Sequence, residues 1–170
     1  MADDARASTS ASFDCTDERA TERLGAACAR ALLALEGGPV LVTLSGELGA
    51  GKTTLVRAIL RALGHAGAVP SPTYMLLEPY ETGGWSVAHL DLYRLRGAAE
   101  LENLGVRELL SGRRLILVEW PENAAGGLPA ADIALTIVAE GARRTVEMRS
   151  GSARGQALLA DIATSAATRG

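Results

Sequence analysis

The sequence has little of what marks several large classes of protein. Its 170 residues include two cysteines, Cys15 and Cys28, too few for a disulfide framework and without the paired spacing of a zinc site. Aromatic residues make up 4% of the chain, and no apolar run reaches the roughly 18 residues of a membrane span. A formal net charge of -3 gives no basic field for autonomous binding to nucleic acid. We therefore expect a cytoplasmic protein with reduced thiols and no membrane contact.

Lysine is almost absent as well. Of the 17 basic residues, Lys52 is the only lysine. A coding bias toward arginine explains the others, but it does not explain this exception. A lysine ammonium is a compact charge on a flexible stem, and it suits some phosphate sites that a guanidinium fork cannot serve. Lys52 is therefore the first candidate functional residue.

The hydrophobic pattern predicts a single α/β domain over residues 17–170, preceded by a small, polar and acidic segment, 1–16, that we expect to be a mobile tail. Predicted helices lie at 17–35, 52–63, 98–110 and 154–167. Predicted strands lie at 39–46, 74–81, 85–93, 114–120, 132–139 and 143–150, and short turns would join two pairs of them as hairpins. These elements predict one mixed β-sheet flanked by helices.

A phosphate-binding motif lies between the first predicted buried strand and the helix that follows it. Residues 46–53 read GELGAGKT, the full G-x-x-x-x-G-K-[ST] pattern, and Thr54 comes next. The glycines let backbone N–H groups converge on phosphate oxygens, and the helix adds its positive N-terminal end. Lys52 would then neutralise the β- and γ-phosphates, and the Thr53 hydroxyl would bind Mg²⁺. An ordinary glycine-rich turn would not explain the strand, the helix and the only lysine together.

Such a loop also needs an acidic residue for the metal and a group that orients water. Glu119 ends the apolar run 115–118, where a second core strand would bring its carboxylate beside the loop as metal ligand or base. Asp91 is the competing candidate for either task. His89 shares a strand face with Asp91, and we expect it to be packed or hydrogen-bonded rather than a metal ligand. Thr73 lies in a proline-containing loop that either senses the γ-phosphate or is only a rigid turn.

The composition of the chain helps to decide which nucleotide it binds and which type of reaction it carries out. Guanine-specific GTPases usually read the base with an [NT]-K-x-D segment, which needs a second lysine, so the sequence favours ATP or weak discrimination between bases. Small-molecule kinases share the loop and add a basic lid, for which the pairs Arg113-Arg114 and Arg143-Arg144 are candidates. Both pairs begin predicted strands, where arginines are more often solvated edge residues. A nucleotide sensor that never hydrolyses ATP is a third class.

The chain resembles the bacterial TsaE (YjeE) family over about residues 17–150. The resemblance is carried by five motifs in this order: LSGELGAGKTT (44–54), SPTY (71–74), HLDLYRL (89–95), LGVRELL (104–110) and LVEWPE (117–122). Many families share the first motif, whereas SPTY, HLDLYR and EWPE together are specific. The resemblance implies a P-loop NTPase-like ATPase that uses ATP and Mg²⁺ and is needed for N6-threonylcarbamoyladenosine in tRNA. It also implies a TsaB–TsaD complex as partner, tRNA as the substrate of that complex, and slow hydrolysis without it.

The same resemblance implies roles for individual residues. It places phosphate binding on Gly46, Glu47, Leu48, Gly49, Ala50, Gly51, Lys52, Thr53 and Thr54. It gives catalytic roles to Lys52 and Glu119, a catalytic or switch role to Asp91, and puts the metal on Thr53 and Glu119. Thr73 takes a switch role. Trp120 and Thr21, the latter from the opening helix, are expected near the nucleotide.

Overall fold

The computed structural model describes residues 8–70, 76–82, 84–124 and 126–168. Its strands are β1 (Ser10–Cys15), β2 (Val40–Ser45), β3 (Leu77–Thr82), β4 (Trp85–Asp91), β5 (Arg114–Glu119), β6 (Ile133–Glu140) and β7 (Arg143–Ser150). Its helices are α1 (Glu18–Ala34), α2 (Lys52–Ala62), α3 (Ala98–Asn103), α4 (Val106–Leu109) and α5 (Ala153–Ala167), and a 3-10 turn covers Pro121–Ala124. The helix predicted at 98–110 is divided in two, because Gly105 has a φ of 64° that ends the first half.

The described strands form one mixed sheet in the order β1-β7-β6-β2-β5-β4-β3. Strand β2 lies between β5 and β6 and is parallel to both, and β5 is also parallel to β4. The other neighbours, β1 with β7, β6 with β7 and β3 with β4, pair antiparallel. The predicted α/β fold with a mixed sheet is therefore confirmed, and so are both predicted hairpins.

The expected mobile tail is wrong for its second half. Within the predicted tail 1–16, residues Ser10–Cys15 form β1, an edge strand that pairs along β7. Phe13 packs against the core, and the carboxylate of Asp14 lies 2.6 Å from the guanidinium of Arg143 on β7. The sequence did not predict this strand because Phe13 is its only large apolar residue. The alternation of apolar and polar side chains that marks a strand is therefore very weak.

Alternate residues of the central strands build two separate cores. On one face, Val42 and Leu117 pack under α1, α2 and α5. On the other face, Leu41 and Ile116 pack with residues of α3 and α4. Strands covered on both faces read as continuous apolar runs, which is why β2 and β5 were visible in the sequence. Among the described residues, no helix is long and apolar enough to cross a membrane.

The parallel arrangement puts the carboxyl ends of β2, β4 and β5 at one edge of the sheet. These ends carry Ser45, Asp91 and Glu119, and Asp91 is directly paired with Glu119 across β4 and β5. Ligands of open α/β sheets bind at this edge. The loop that leaves β2 and the two predicted acidic residues therefore meet in one place.

Helix α2, which follows that loop, is held against α1 by an unusually close approach at Gly25. A Cβ atom on Gly25 would lie 2.5 Å from the Cβ of Ala58 and 2.8 Å from its carbonyl carbon. Contacts shorter than 3.0 Å force the backbones apart. Glycine at this position therefore allows α1 to fix where α2 lies.

Gly25→Ala should lower the free energy of unfolding by about 1–3 kcal/mol, because overpacking against Ala58 outweighs the roughly 1 kcal/mol that alanine gains over glycine in a helix. Urea unfolding measures the change. The matched control is Glu22→Ala on the exposed face of α1, expected within about 0.5 kcal/mol of the wild-type chain. A Gly25→Ala chain as stable as the wild type would contradict the close approach.

Candidate functional site

The glycine-rich loop joins β2 to α2 and opens the N-terminus of that helix. Gly49 and Gly51 have φ angles of 78° and 106°, values that residues with a Cβ rarely adopt. Gly51 occupies the N-cap position of α2, so no side chain caps the helix. The first N–H groups of α2 are therefore available to an anion, and the helix dipole favours negative charge at the same place.

Gly46, the first residue of the loop, is required by a neighbouring strand. A Cβ atom here would lie 2.5 Å from the carbonyl oxygen of Ile137 on β6. Its φ of 145° also lies in the region that favours glycine. The loop therefore leaves β2 pressed against β6, which fixes its course toward α2.

Lys52 folds back over the loop. Its Nζ donates hydrogen bonds to the carbonyl oxygens of Gly46 at 2.6 Å and Glu47 at 2.8 Å. The same atom lies 3.9 Å from the centroid of the Trp120 ring, within cation–π distance. The residue is only 4% exposed. The only lysine of the chain is thus a buried cation held by neutral groups.

The charge of Lys52 is incompletely compensated. Burial lowers the pKa of its ammonium group, and the negative charges of Glu119, Glu122 and Asp91 act in the opposite direction without cancelling this effect. A lowered pKa means that the surroundings disfavour the charged form relative to water. An anion bound beside Nζ would relieve this imbalance.

Glu119 contacts the loop helix directly. Its carboxylate accepts a hydrogen bond from the Thr53 hydroxyl, whose Oγ1 lies 2.9 Å from Oε1 and 3.0 Å from Oε2. On the other side, Nε2 of His89 lies 2.7 Å from Oε1. The predicted hydrogen-bonded histidine is therefore confirmed. Its partner, the candidate metal carboxylate, was not foreseen.

Asp91 lies beside Glu119 on the neighbouring strand and lines the same cavity. Its Oδ1 accepts a hydrogen bond from the backbone N–H of Tyr93 at 3.0 Å. The part of the chain that the structure describes holds no cluster of three or more His, Cys, Asp or Glu residues suited to a metal. A hydroxyl next to one carboxylate is nevertheless the usual protein contribution to Mg²⁺ that also binds phosphates. Thr53 and Glu119 fit that donor set.

Trp120 covers this end of the loop at a cost in backbone strain. Its φ of 58° lies in the left-handed region, an outlier for a bulky residue that costs of order 1–3 kcal/mol. Its N–H donates to the carbonyl of Leu44 at 3.1 Å, and its ring centroid lies 4.9 Å from that of Tyr93. The bend turns the indole over Lys52. The resulting cavity of about 160 Å³ is lined by Leu48, Gly49, Gly51, Lys52, Thr53, Asp91, Tyr93, Glu119 and Trp120.

A second cavity, of about 340 Å³, meets the loop at Gly51 and Thr54. Thr21 of α1 lines it, and its expected role near the nucleotide stays a prediction. Arg144 also lines it, and its Nη1 donates to the carbonyl oxygen of Gly141 at 2.6 Å. The sequence makes Arg144 a candidate lid residue but favours a solvated edge residue, so its position at this cavity was not foreseen. Only the arginine pair in the sequence hinted at it.

Two larger cavities, of about 550 and 580 Å³, lie away from the loop, beside β1 and beside α3. Neither is lined by loop residues. Thr73 and the rest of the SPTY motif lie outside the described residues, so the switch role of Thr73 stays a prediction.

The family model for "Threonylcarbamoyl adenosine biosynthesis protein TsaE" matches residues 15–146. The chain belongs to the TsaE family. The "tRNA threonylcarbamoyladenosine biosynthesis protein TsaE" of Haemophilus influenzae is 43% identical over 133 residues, 78% of this chain and 84% of that protein. The protein of the same name from Treponema pallidum is 37% identical over 111 residues, 64% of this chain and 81% of its own. The resemblance found in the motifs is therefore confirmed.

The α/β fold of the chain also occurs in a solved structure. The crystal structure of Bacillus subtilis YdiB superposes on this chain with a TM-score of 0.77, covering 94% of this chain and 98% of the other. The two are 23% identical in sequence, so this likeness concerns the fold alone. The matched segment 15–146 of the TsaE model includes both cavities that meet the loop.

The incompletely compensated charge predicts a pH effect on this TsaE chain that Lys52→Met should remove. The pKa of Lys52 is lowered in the folded state, so the unfolded chain binds more protons below the ordinary value of 10.5. The wild-type free energy of unfolding should therefore rise relative to Lys52→Met as pH increases toward 10.5. Near pH 7 the variant should be no less stable than the wild type.

Urea unfolding of both chains between pH 7 and 10.5, without nucleotide, measures the difference. Other titrating groups are common to both chains and cancel in the comparison. A wild type that loses stability relative to Lys52→Met over this range would show that its surroundings favour the Lys52 charge.

Proposed function

We propose that this TsaE-family chain binds and hydrolyses ATP with Mg²⁺, and that it serves the formation of N6-threonylcarbamoyladenosine in tRNA. The observation that carries the proposal is the buried Lys52, held over the glycine-rich loop beside the Thr53 and Glu119 pair. The names of the family and of its relatives support the tRNA modification role. The loop geometry supports the nucleotide.

Two cavities that share Gly51 suggest how the nucleotide lies. The cavity of about 340 Å³ is lined by Thr54 and Thr21, and the smaller cavity of about 160 Å³ is lined by Lys52 and Glu119. In a P-loop the lysine serves the terminal phosphates, and the loop backbone cradles those nearer the ribose. The nucleoside would therefore occupy the larger cavity, and the terminal phosphates would lie in the smaller one.

The metal would be held by Thr53 and Glu119. When bound, Mg²⁺ would neutralise charge on the terminal phosphates. Glu119 is 2% exposed and already within hydrogen-bond distance of Thr53. Asp91 lines the same cavity, and we assign it the role of orienting water because Glu119 is assigned to the metal.

The proposed partner is a TsaB–TsaD complex, with tRNA as the substrate of that complex. Lys52 is the only cationic residue in the described lining of the smaller cavity, so a second positive charge would come from elsewhere. P-loop enzymes completed in this way hydrolyse ATP slowly on their own. At the cavity rim, Leu48 is 75% exposed and Tyr93 43% exposed, apolar surface that a partner could cover.

The kinase alternative requires a basic lid, and the described arginines are engaged differently. The Arg113 guanidinium lies 4.7 Å from the Trp85 ring centroid, and Arg114 donates to the carbonyl of Glu108 at 3.3 Å. Arg143 pairs with Asp14 at the sheet edge. Of these four arginines, Arg144 is the one that lines a cavity meeting the loop in the part of the chain that the structure describes. These contacts favour the ATPase proposal over a kinase with a closing lid.

The proposal predicts slow ATP hydrolysis by the purified chain and a rise of about tenfold or more when the TsaB–TsaD pair of the same organism is added. Lys52→Ala should abolish both activities while remaining folded. Lys52→Arg is the matched control for charge, and it should also fail because the planar fork cannot occupy the ammonium position. Phosphate release and circular dichroism measure activity and folding. Phosphate transfer to a small acceptor, without stimulation by the pair, would instead support a kinase.

The placement of the nucleoside predicts unequal roles for two adjacent arginines. Arg144→Ala should weaken ATP affinity by about tenfold, the loss of one charge-assisted hydrogen bond. Arg143→Ala is the matched control, since Arg143 pairs with Asp14 away from the cavity, and its affinity should stay near that of the wild type. Equilibrium binding of fluorescent ATP measures both. Equal losses for the two variants would contradict this placement.

A further inference from the structure

The one side chain beside Glu119 that the proposed chemistry leaves unused is His89. It lies on β4 with 0% of its surface exposed. Its Nε2 is 2.7 Å from Oε1 of Glu119, and within the described residues its Nδ1 is a buried atom with no hydrogen-bond partner. A buried polar side chain with one partner only, directed at a candidate metal ligand, calls for a functional explanation.

The chemistry of the contact fixes the role of the imidazole. A carboxylate that binds Mg²⁺ is ionised and can only accept hydrogen bonds, so under the proposed function a hydrogen lies on Nε2 of His89. His89 is therefore the donor and Glu119 the acceptor.

The Glu119 carboxylate accepts hydrogen bonds from two donors, and only one of them also has a role in binding the metal. The Thr53 hydroxyl donates from the first turn of α2, but under the proposed function Thr53 also serves the metal. His89 donates from the interior of β4, which is paired on both sides within the sheet. Only the His89 hydrogen bond is thus independent of what binds at the loop.

We propose that His89 is a positioning residue that holds Oε1 of Glu119 and so presents the carboxylate to Mg²⁺. This inference rests on the proposed function. Donors that orient a metal ligand typically contribute about 10- to 100-fold to metal affinity when they are removed. The loss of His89 should therefore raise the Mg²⁺ requirement of nucleotide binding, while nucleotide binding without Mg²⁺ should stay unchanged.

The test is a Mg²⁺ titration of the binding of fluorescent, non-hydrolysable ATP to the full chain without partners. His89→Leu should raise the Mg²⁺ concentration at half-saturation about tenfold or more. His89→Gln should stay near the wild type, because the glutamine amide can donate from about the position of Nε2. The affinity measured with a chelator should be the same in all chains.

The other histidine of the chain provides the matched control. His65 lies in the turn after α2 against the Tyr80 ring, away from the loop, and His65→Leu should not change the titration. If His89→Leu fails to fold, His89→Asn, whose amide is too short to reach Glu119, replaces it in the comparison with His89→Gln.

Two results would overturn the inference: a wild-type Mg²⁺ requirement in His89→Leu or its replacement, or a His89→Gln chain as impaired as His89→Leu. Failure of the proposed function is distinguishable, because the wild-type chain would then bind no nucleotide before any substitution is made.

Discussion

The arrangement of the site depends on burying one ammonium group. Lys52 is largely removed from water, and two backbone carbonyls and an indole ring replace its hydration only in part. The loop therefore curls so that the carbonyls of Gly46 and Glu47 face Nζ, and Trp120 accepts a left-handed backbone to bring its ring over the cation. A strained residue and a destabilised charge at one place are features that folding alone would not favour. Both make sense if an anion completes the site.

Sheet topology delivers the acidic half of the site. Because β2, β4 and β5 are parallel, their carboxyl ends meet at one edge, and the register pairs Asp91 with Glu119. His89 lies two residues before Asp91 and therefore on the same face. One strand thus supplies both the residue that holds Glu119 and the carboxylate beside it. The close approach of α1 and α2 at Gly25 then sets Thr53 against the same carboxylate.

Patterns within single segments of the sequence predicted much of this architecture. The features that were not predicted depend mostly on how the strands pair in the folded sheet. The motif at 46–53 and the apolar run before Glu119 are contiguous in the sequence, so their chemistry could be read directly. Strand β1 was not predicted because most of its residues are small, and their hydrophobicity hardly alternates along the strand. Arg144 reaches the second cavity only because β6 pairs with β2 and carries the hairpin to the loop. The bond between His89 and Glu119 likewise depends on the β4–β5 register, which no single segment specifies.

The same contacts connect the buried charge to the surface. Lys52 contacts the Trp120 ring, the Trp120 and Tyr93 rings contact each other at a tilt of 51°, and Tyr93 is 43% exposed at the cavity rim. Asn123 donates from the turn after Trp120 to the carbonyls of Leu92 and Tyr93, which ties the two segments together. Under the proposed function, a partner protein that covers Tyr93 and Leu48 would act on Trp120, the residue whose ring lies over the Lys52 ammonium group. Coupling between partner and nucleotide then needs no long pathway, because two aromatic contacts span the distance from surface to phosphate site.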